Sequence, residues 1–261
     1  LPKQPGNFSA LVHLETWQWL AAAGGAFLIG LSKTGIVGIG IFSVGLFALV
    51  FPARESVGVV LPILVTADIV AVAVYRRHAI WSHLWRLFPW AALGIVLGYL
   101  AMGRIDDRQV ARLIGAILMV ISIWQIWRRR TAAHSITEPA RVPESRWFVA
   151  SVGIAAGFAT MVANAAGPIM ILYLLAMRLP KMEFLGTGAW YFLILNVFKI
   201  PFSWDLGIVN PASFGLDLTL APFAIGGALF GRRLLQHINQ ALFENLALLF
   251  TGAAAVRLLA M

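Results

Sequence analysis

The sequence predicts an all-α membrane protein of two inverted-topology repeats, each a broken or re-entrant helical hairpin followed by three transmembrane helices. Composition is the first sign: 60% of the 261 residues are hydrophobic and 12% charged, where soluble domains carry roughly 25% charged residues. The second is a succession of apolar runs, Ser56–Tyr75, Leu84–Met102, Val110–Trp127, Phe184–Ile200, Ser213–Phe230 and Ala241–Leu258. Each has about the 17–25 residues a helix needs to cross a ~30 Å hydrocarbon core. The third is self-similarity. A shift of 128 residues lays Pro52 on Pro180, Glu55 on Glu183, Gly58 on Gly186, Ile80 on Ile208, Gly98 on Gly226 and Gly103-Arg104 on Gly231-Arg232. A shift of 127 lays Gly30 on Gly157 and Gly40 on Gly167, and one of 133 lays Ile105 on Ile238 and Leu113 on Leu246. Shared glycines and prolines mark backbone positions with special requirements, which drift in side chains does not erase.

Residues 1–16 lack the charged, apolar and small-residue succession of a signal peptide and read as a polar or interfacial lead-in. The first repeat covers 17–127. Its opening stretch, Trp17–Phe51, is too long for one span, and its apolar pieces Trp17–Leu31 and Ile36–Val50 reach only about 22 Å each at 1.5 Å per residue. Between them stands Ser32-Lys33-Thr34-Gly35. Residues 128–146 form a basic linker. The second repeat, 147–261, opens the same way: Trp147–Ala163 and Pro168–Met177 flank Asn164-Ala165-Ala166-Gly167. These openings predict hairpins that dip in from opposite faces and meet at their tips, with two packed full spans per half as the alternative. Irregular backbone at membrane depth is tolerated where it is buried in protein or lines a polar cavity, so the tips are the expected binding site.

Charge fixes the orientation. Of the twenty lysines and arginines, twelve fall in the connections Arg76–Arg86, Arg128–Trp147, Arg178–Lys181 and Gly231–Gln240, and six in the remaining connections and termini. The positive-inside rule places the first set in the cytoplasm. Ser56–Tyr75 then runs inward and its partner Phe184–Ile200 outward, the inverted arrangement of many secondary transporters. Eight of the ten tryptophans stand near the ends of apolar runs, as an interfacial belt requires. The net charge of +9 is thus a topology signal and not a nucleic-acid surface. The absence of cysteine excludes disulfides, iron–sulfur clusters and thiolate metal sites. The five histidines all fall in loops or at ends, and no cofactor or metal is expected.

Lys33 carries the sharpest chemistry, since a lysine inside an apolar stretch costs several kcal/mol unless paired or wet. With a helix start at Gly35, whose free N–H groups are partly positive, and with Thr34, it makes an anion site; pairing with Asp68 or snorkelling is the alternative. Thr160, Asn164, Gly167 and Pro168 form the counterpart, with proline suited to a first helical turn; a turn that satisfies only its own backbone is the other reading. Asp68 and Asn196 are equivalent under the 128 shift. Burial favours the neutral form of Asp68 and a nearby lysine the charged form, so it is either a proton-coupling carboxylate or half of a structural ion pair. Lys199, just before Pro201, is expected to snorkel to the interface, although its i, i+3 spacing from Asn196 puts both on one face. Glu55 and Glu183 suit first turns. Gly94-x-x-x-Gly98 and Gly227-x-x-x-Gly231 predict close helix packing. Signatures of hydrolases, zinc peptidases and phosphate-binding loops are absent, which argues against an enzyme.

The glycine-rich openings (Gly30-Leu-Ser-Lys-Thr-Gly35 through Gly40, and Gly157 through Asn164-Ala-Ala-Gly167-Pro168), Asn196-Val-Phe-Lys199 and Gly231-Arg232-Arg233 together resemble the TauE/SafE sulfite exporter family. The likeness covers about Trp17 to Leu258, although Gly38-Ile-Gly40 interrupts a glycine run that many relatives keep. It implies a multi-pass carrier in the bacterial inner membrane for small sulfur-containing anions such as sulfite, sulfoacetate or related sulfonates. The residues independently ask for an anion carrier, in which Lys33 and Lys199 neutralise the substrate and Asn164 and Asn196 orient it. A passive anion channel and a non-transporting membrane scaffold or sensor are the competing classes.

Overall fold

The computed structural model describes residues 14–51, 53–102, 119, 123, 145–209 and 211–260. Among them every regular element is helical: α1 Thr16–Thr34, α2 Ile41–Val50, α3 Ala53–Tyr75, α4 Trp81–Ala101, α5 Arg146–Ala163, α6 Ala166–Ala176, α7 Lys181–Asp205, α8 Pro211–Leu235 and α9 Gln240–Ala260, with a 3-10 turn at Arg76–His78. Five stretches have the length and hydropathy of a membrane span: Ser56–His78, Trp81–Ala101, Arg146–Ala163, Lys181–Asp205 and Phe214–Leu235. Their outward faces carry large apolar side chains such as Trp85, Trp147, Trp204, Leu218 and Leu229, a surface that hydrocarbon solvates and water does not. The chain is a multi-pass membrane protein. The predicted run Val110–Trp127 and most of the linker at 128–146 lie outside the described residues.

Helix ends follow local chemistry. Glu15 caps α1 reciprocally with Gln18, whose Oε1 accepts the Glu15 N–H at 2.8 Å, the capping-box arrangement. Glu183 stands in the first turn of α7 after Pro180, where a carboxylate offsets the helix dipole; the matching expectation for Glu55 falls on a side chain outside the described set. Gly38 has φ +90°, a conformation that excludes most other residues and lets the chain turn between α1 and α2.

Two helix pairs dominate the packing, α4 with α5 and α1 with α8, and both rest on glycine. A Cβ on Gly30 would lie 1.9 Å from the Ala224 carbonyl oxygen, and one on Gly227 2.0 Å from that of Phe27. In the other pair a Cβ on Gly157 would lie 2.0 Å from the Ala91 oxygen, and one on Gly94 2.2 Å from that of Ile154. These contacts correspond one to one when α1 is shifted by 127 onto α5 and α4 by 133 onto α8. Pro89 and Pro222, inside α4 and α8, obey the same 133 offset. The match of Gly98 with Gly226 is therefore displaced by five residues: Gly98 packs on Met161, its counterpart Gly231 packs on Thr34, and nothing lies within 4 Å of a Cβ on Gly226. The match of Gly103-Arg104 falls outside the described residues on one side.

Between these pairs α3 packs against α7. Across this contact Asp68 and Asn196, which the 128 shift aligns in the sequence, touch directly. Gly58 and Gly186 each leave room for the turn after the opposite helix, at Ile208 and at Tyr75–Ala79 respectively.

The first hairpin differs from expectation, whereas the second keeps the bounds read from the sequence, Trp147–Ala163 and Pro168–Met177, to within about two residues. Their arms are unequal: α1 and α5 have 19 and 18 residues, α2 and α6 only 10 and 11. The long arms reach roughly 27–28 Å and the short ones about 15–17 Å. Both tips border one cavity, through Lys33, Val37, Gly38 and Gly40 of the first and Asn164, Ala165, Ala166, Gly167 and Pro168 of the second, and each is anchored on α3. Tyr75 donates its hydroxyl to the Thr34 carbonyl at 2.7 Å, and Asn164 donates its amide to the Val57 carbonyl at 3.0 Å. The two anchors lie near opposite ends of α3, on the Tyr75 hydroxyl and the Val57 carbonyl.

Candidate functional site

Asp68, Thr160, Asn196 and Lys199, all buried, gather with Lys33 where α1, α3, α5 and α7 converge. Lys33, in the last turn of α1, places Nζ 2.8 Å from Asp68 Oδ1. The contact is an ion pair and not an aligned hydrogen bond. The same ammonium lies 4.0 Å from the centroid of the Phe192 ring, close enough for a cation–π attraction. Asn196 donates Nδ2 to the other Asp68 oxygen at 2.6 Å. Asp68 is fully buried, Asn196 nearly so, and Lys33 is 10% exposed.

Lys199 does not snorkel. It is 1% exposed and donates to the Thr160 carbonyl and Thr160 Oγ1, both at 3.1 Å, and to Asn164 Oδ1. Three acceptors match the three protons of an ammonium. They surround the C-terminal turn of α5, where a cation offsets the helix dipole. Asn164 takes the left-handed conformation at that terminus, φ 52°, which asparagine tolerates better than most residues. Its side chain thus joins α5 to α7 through Lys199 and to α3 through Val57.

The first hairpin corrects a second expectation. α1 runs through Thr34, and Gly35 is its C-terminal cap, donating its N–H to the Leu31 carbonyl at 2.9 Å. No helix begins at Gly35; α2 starts at Ile41. Thr34 is fully buried and donates Oγ1 to the Ala228 carbonyl at 2.6 Å, so it fixes α1 to α8. Gly35 lies against Gly231. In the second hairpin Pro168 does stand in the first turn of α6.

A cavity of about 110 Å³ lies between the tips. Lys33, Thr160, Asn164, Gly167, Pro168 and Asn196 border it, whereas Thr34, Gly35, Asp68 and Lys199 do not. Sequence reasoning missed Phe192, which stands one turn before Asn196 and covers Lys33, and Ser32, which borders the cavity beside Lys33. It also missed Tyr75, the anchor of the first tip. Only the position of Phe192, four residues from Asn196, was a legible signal.

The family model for the sulfite exporter TauE/SafE matches residues 22–258. The chain belongs to the TauE/SafE family. No curated protein and no solved structure matches it. TauE/SafE proteins are transporters and not enzymes, and membership implies a membrane transporter of sulfur anions. The TauE/SafE match spans both hairpins, both glycine-packed helix pairs and the whole Lys33–Asp68–Asn196 cluster.

Proposed function

We propose that the chain is a secondary transporter that exports a small sulfur-containing anion, such as sulfite, sulfoacetate or a related sulfonate, across the bacterial inner membrane by alternating access. The two halves act as inverted-topology repeats. The mirrored glycine contacts of α1–α8 and α4–α5 support this reading, as does the direct Asp68–Asn196 bond between equivalent positions. The observation that carries the proposal is the Lys33–Asp68–Asn196 cluster, buried at membrane depth beside a cavity.

An arriving anion competes with Asp68 for the Lys33 ammonium. When the anion takes Lys33, Asp68 is left as an uncompensated buried charge, which is costly. A proton on Asp68 removes that cost, so binding of the anion and of a proton become linked. The free N–H groups at the start of α6, near Gly167 and Pro168, bind substrate oxygens, and Asn196 orients the anion. Thr160 and Asn164 shape the far wall, held there by Lys199. Rocking of one half against the other then exposes the cavity to alternate sides.

Uptake of radiolabelled sulfite into proteoliposomes, with and without an imposed pH gradient, tests this. Saturable uptake that the gradient accelerates is the expected result. Uptake indifferent to the gradient removes the proton from Asp68 but keeps the carrier. Lys33→Ala is expected to abolish saturable uptake in protein that folds normally; intact flux and affinity in that variant would sink the site assignment.

A further inference from the structure

One buried acid has no part in the transport reading. Asp217 is 4% exposed and does not border the cavity. Neither of its carboxyl oxygens has a hydrogen-bond partner among the described residues, whereas Asp68 is held by Lys33 and Asn196. Asp217 stands in α8, about 9 Å along the helix from Pro211, within a stretch that has the hydropathy of a span. An unpartnered carboxylate in apolar surroundings is far costlier than the neutral acid. This packing therefore admits Asp217 with its proton on.

Its neighbours supply no counter-charge. α8 packs on α1 and α3, and Leu216 and Leu220 join Ala22, Ala26, Val59 and Ile63 in one apolar cluster. Lys33 of α1 and Asp68 of α3 pair with each other. Glu15, the cap of α1, accepts from Trp17 Nε1, and Tyr75 donates to Thr34 at the far end of α3. Arg54 and Glu55 open α3, with side chains outside the described set. On α8 itself Arg232 and Arg233 stand in the last turn, about 22 Å away along the axis.

The position of Asp217 ties its proton to a joint. Asp217, Leu220, Ala224, Gly227 and Gly231 recur at three- and four-residue intervals and so line one face of α8. Ala224 and Gly231 of that face lie against Gly30 and Gly35 of α1. The parallel register of these contacts carries Asp217 to the level of Ala22 and Ala23. The same joint holds α1, and with it Lys33. Resting on the transporter reading above, we infer that Asp217 is a proton-binding site that gates the movement of α8 against α1. The joint closes on the protonated acid. When it opens, water reaches Asp217 from the end at which α8 begins, and the proton leaves toward that same face. The site sets the pH at which that face opens, and adds nothing to the protons carried with the anion at Asp68.

The test exploits the absence of cysteine. Ala22, fully buried at the joint, is replaced by Ala22→Cys in the full chain in nanodiscs. Its labelling by an impermeant thiol reagent is followed between about pH 5 and 8. Each rate is divided by that of the same reporter carrying Asp217→Asn, which cancels the titration of the thiol. Rising pH ionises the acid and favours the open joint, so the ratio is expected to rise, by up to about tenfold per pH unit, the limit for one linked proton. In proteoliposomes Asp217→Asn is expected to keep saturable sulfite uptake and its acceleration by a pH gradient. A ratio flat across pH, with uptake intact, overturns the gate and leaves the transporter reading standing. Loss of gradient acceleration in Asp217→Asn makes the proton one that crosses the membrane and overturns the same-face gate. A marked fall in thermal stability in both Asp217→Asn and Asp217→Ala marks an acid that the fold requires, and overturns it too. A rising ratio without uptake of sulfite or any sulfonate keeps the proton-gated joint and overturns the transporter reading.

Discussion

Asp68 is the residue on which the interior charges depend. It holds Lys33 through one oxygen and Asn196 through the other, and it is fully buried. Removing one partner of a buried pair typically costs about 3–5 kcal/mol, whereas removing both is often close to neutral. Asp68→Asn should therefore destabilise the protein by about that amount, and Lys33→Gln combined with Asp68→Asn should recover most of it. Thermal unfolding of the two single variants and the double variant checks the cycle; additive losses would mean that the pair is not a unit. Asp68→Asn should also abolish acceleration of uptake by a pH gradient. Lys33, Asp68 and Asn196 were each legible in the sequence as polar residues in apolar surroundings. The role of Lys199 was not, because its position near a helix end resembles that of a snorkelling lysine. Burial depends on what α5 brings against it.

At the scale of elements, glycine decides which helices touch. Backbones that approach within van der Waals distance gain packing that bulkier residues forbid. Gly30→Ala and Gly157→Ala would drive a methyl carbon to within 1.9 and 2.0 Å of a carbonyl oxygen. Each should lower stability by about 1–3 kcal/mol, the usual cost of overpacking. Gly226→Ala, with open space beside it, should be neutral or slightly stabilising by helix propensity. Equal effects in all three variants would remove close packing as the explanation. The glycine motifs in α4 and α8 were readable as packing surfaces. Which of their glycines meet a neighbouring backbone was not, since that depends on the helix across the contact. The unequal arms of the first hairpin were likewise hidden, because a hydropathy pattern shows where a helix is interrupted and not where the next one starts, whereas those of the second were already legible.

For the whole molecule, the conformation joins a tip to each end of α3 and leaves the cavity between them. Alternating access requires that residues on its border meet water from one side at a time. The chain has no cysteine, so single reporters can be introduced on a silent background. Ser32→Cys and Ser43→Cys both border the cavity. In inside-out and right-side-out vesicles, an impermeant thiol reagent should label each from both sides over time, and saturating substrate should slow both rates several-fold. Labelling confined to one side under every condition would exclude exchange between two access states.

The class of protein, the positions of most helices and the polar residues set among apolar ones were all legible in the sequence. These follow from hydropathy, charge and special backbone residues, which act over a few helical turns. Tertiary contacts alone show that Tyr75 and Val57 anchor the tips on α3, that Lys199 clamps α5, that Phe192 covers Lys33, and which glycines of α4 and α8 meet a neighbouring backbone. Each of those depends on contact between segments far apart in the chain, and the free energy of such a contact is a property of the pair that no single segment contains.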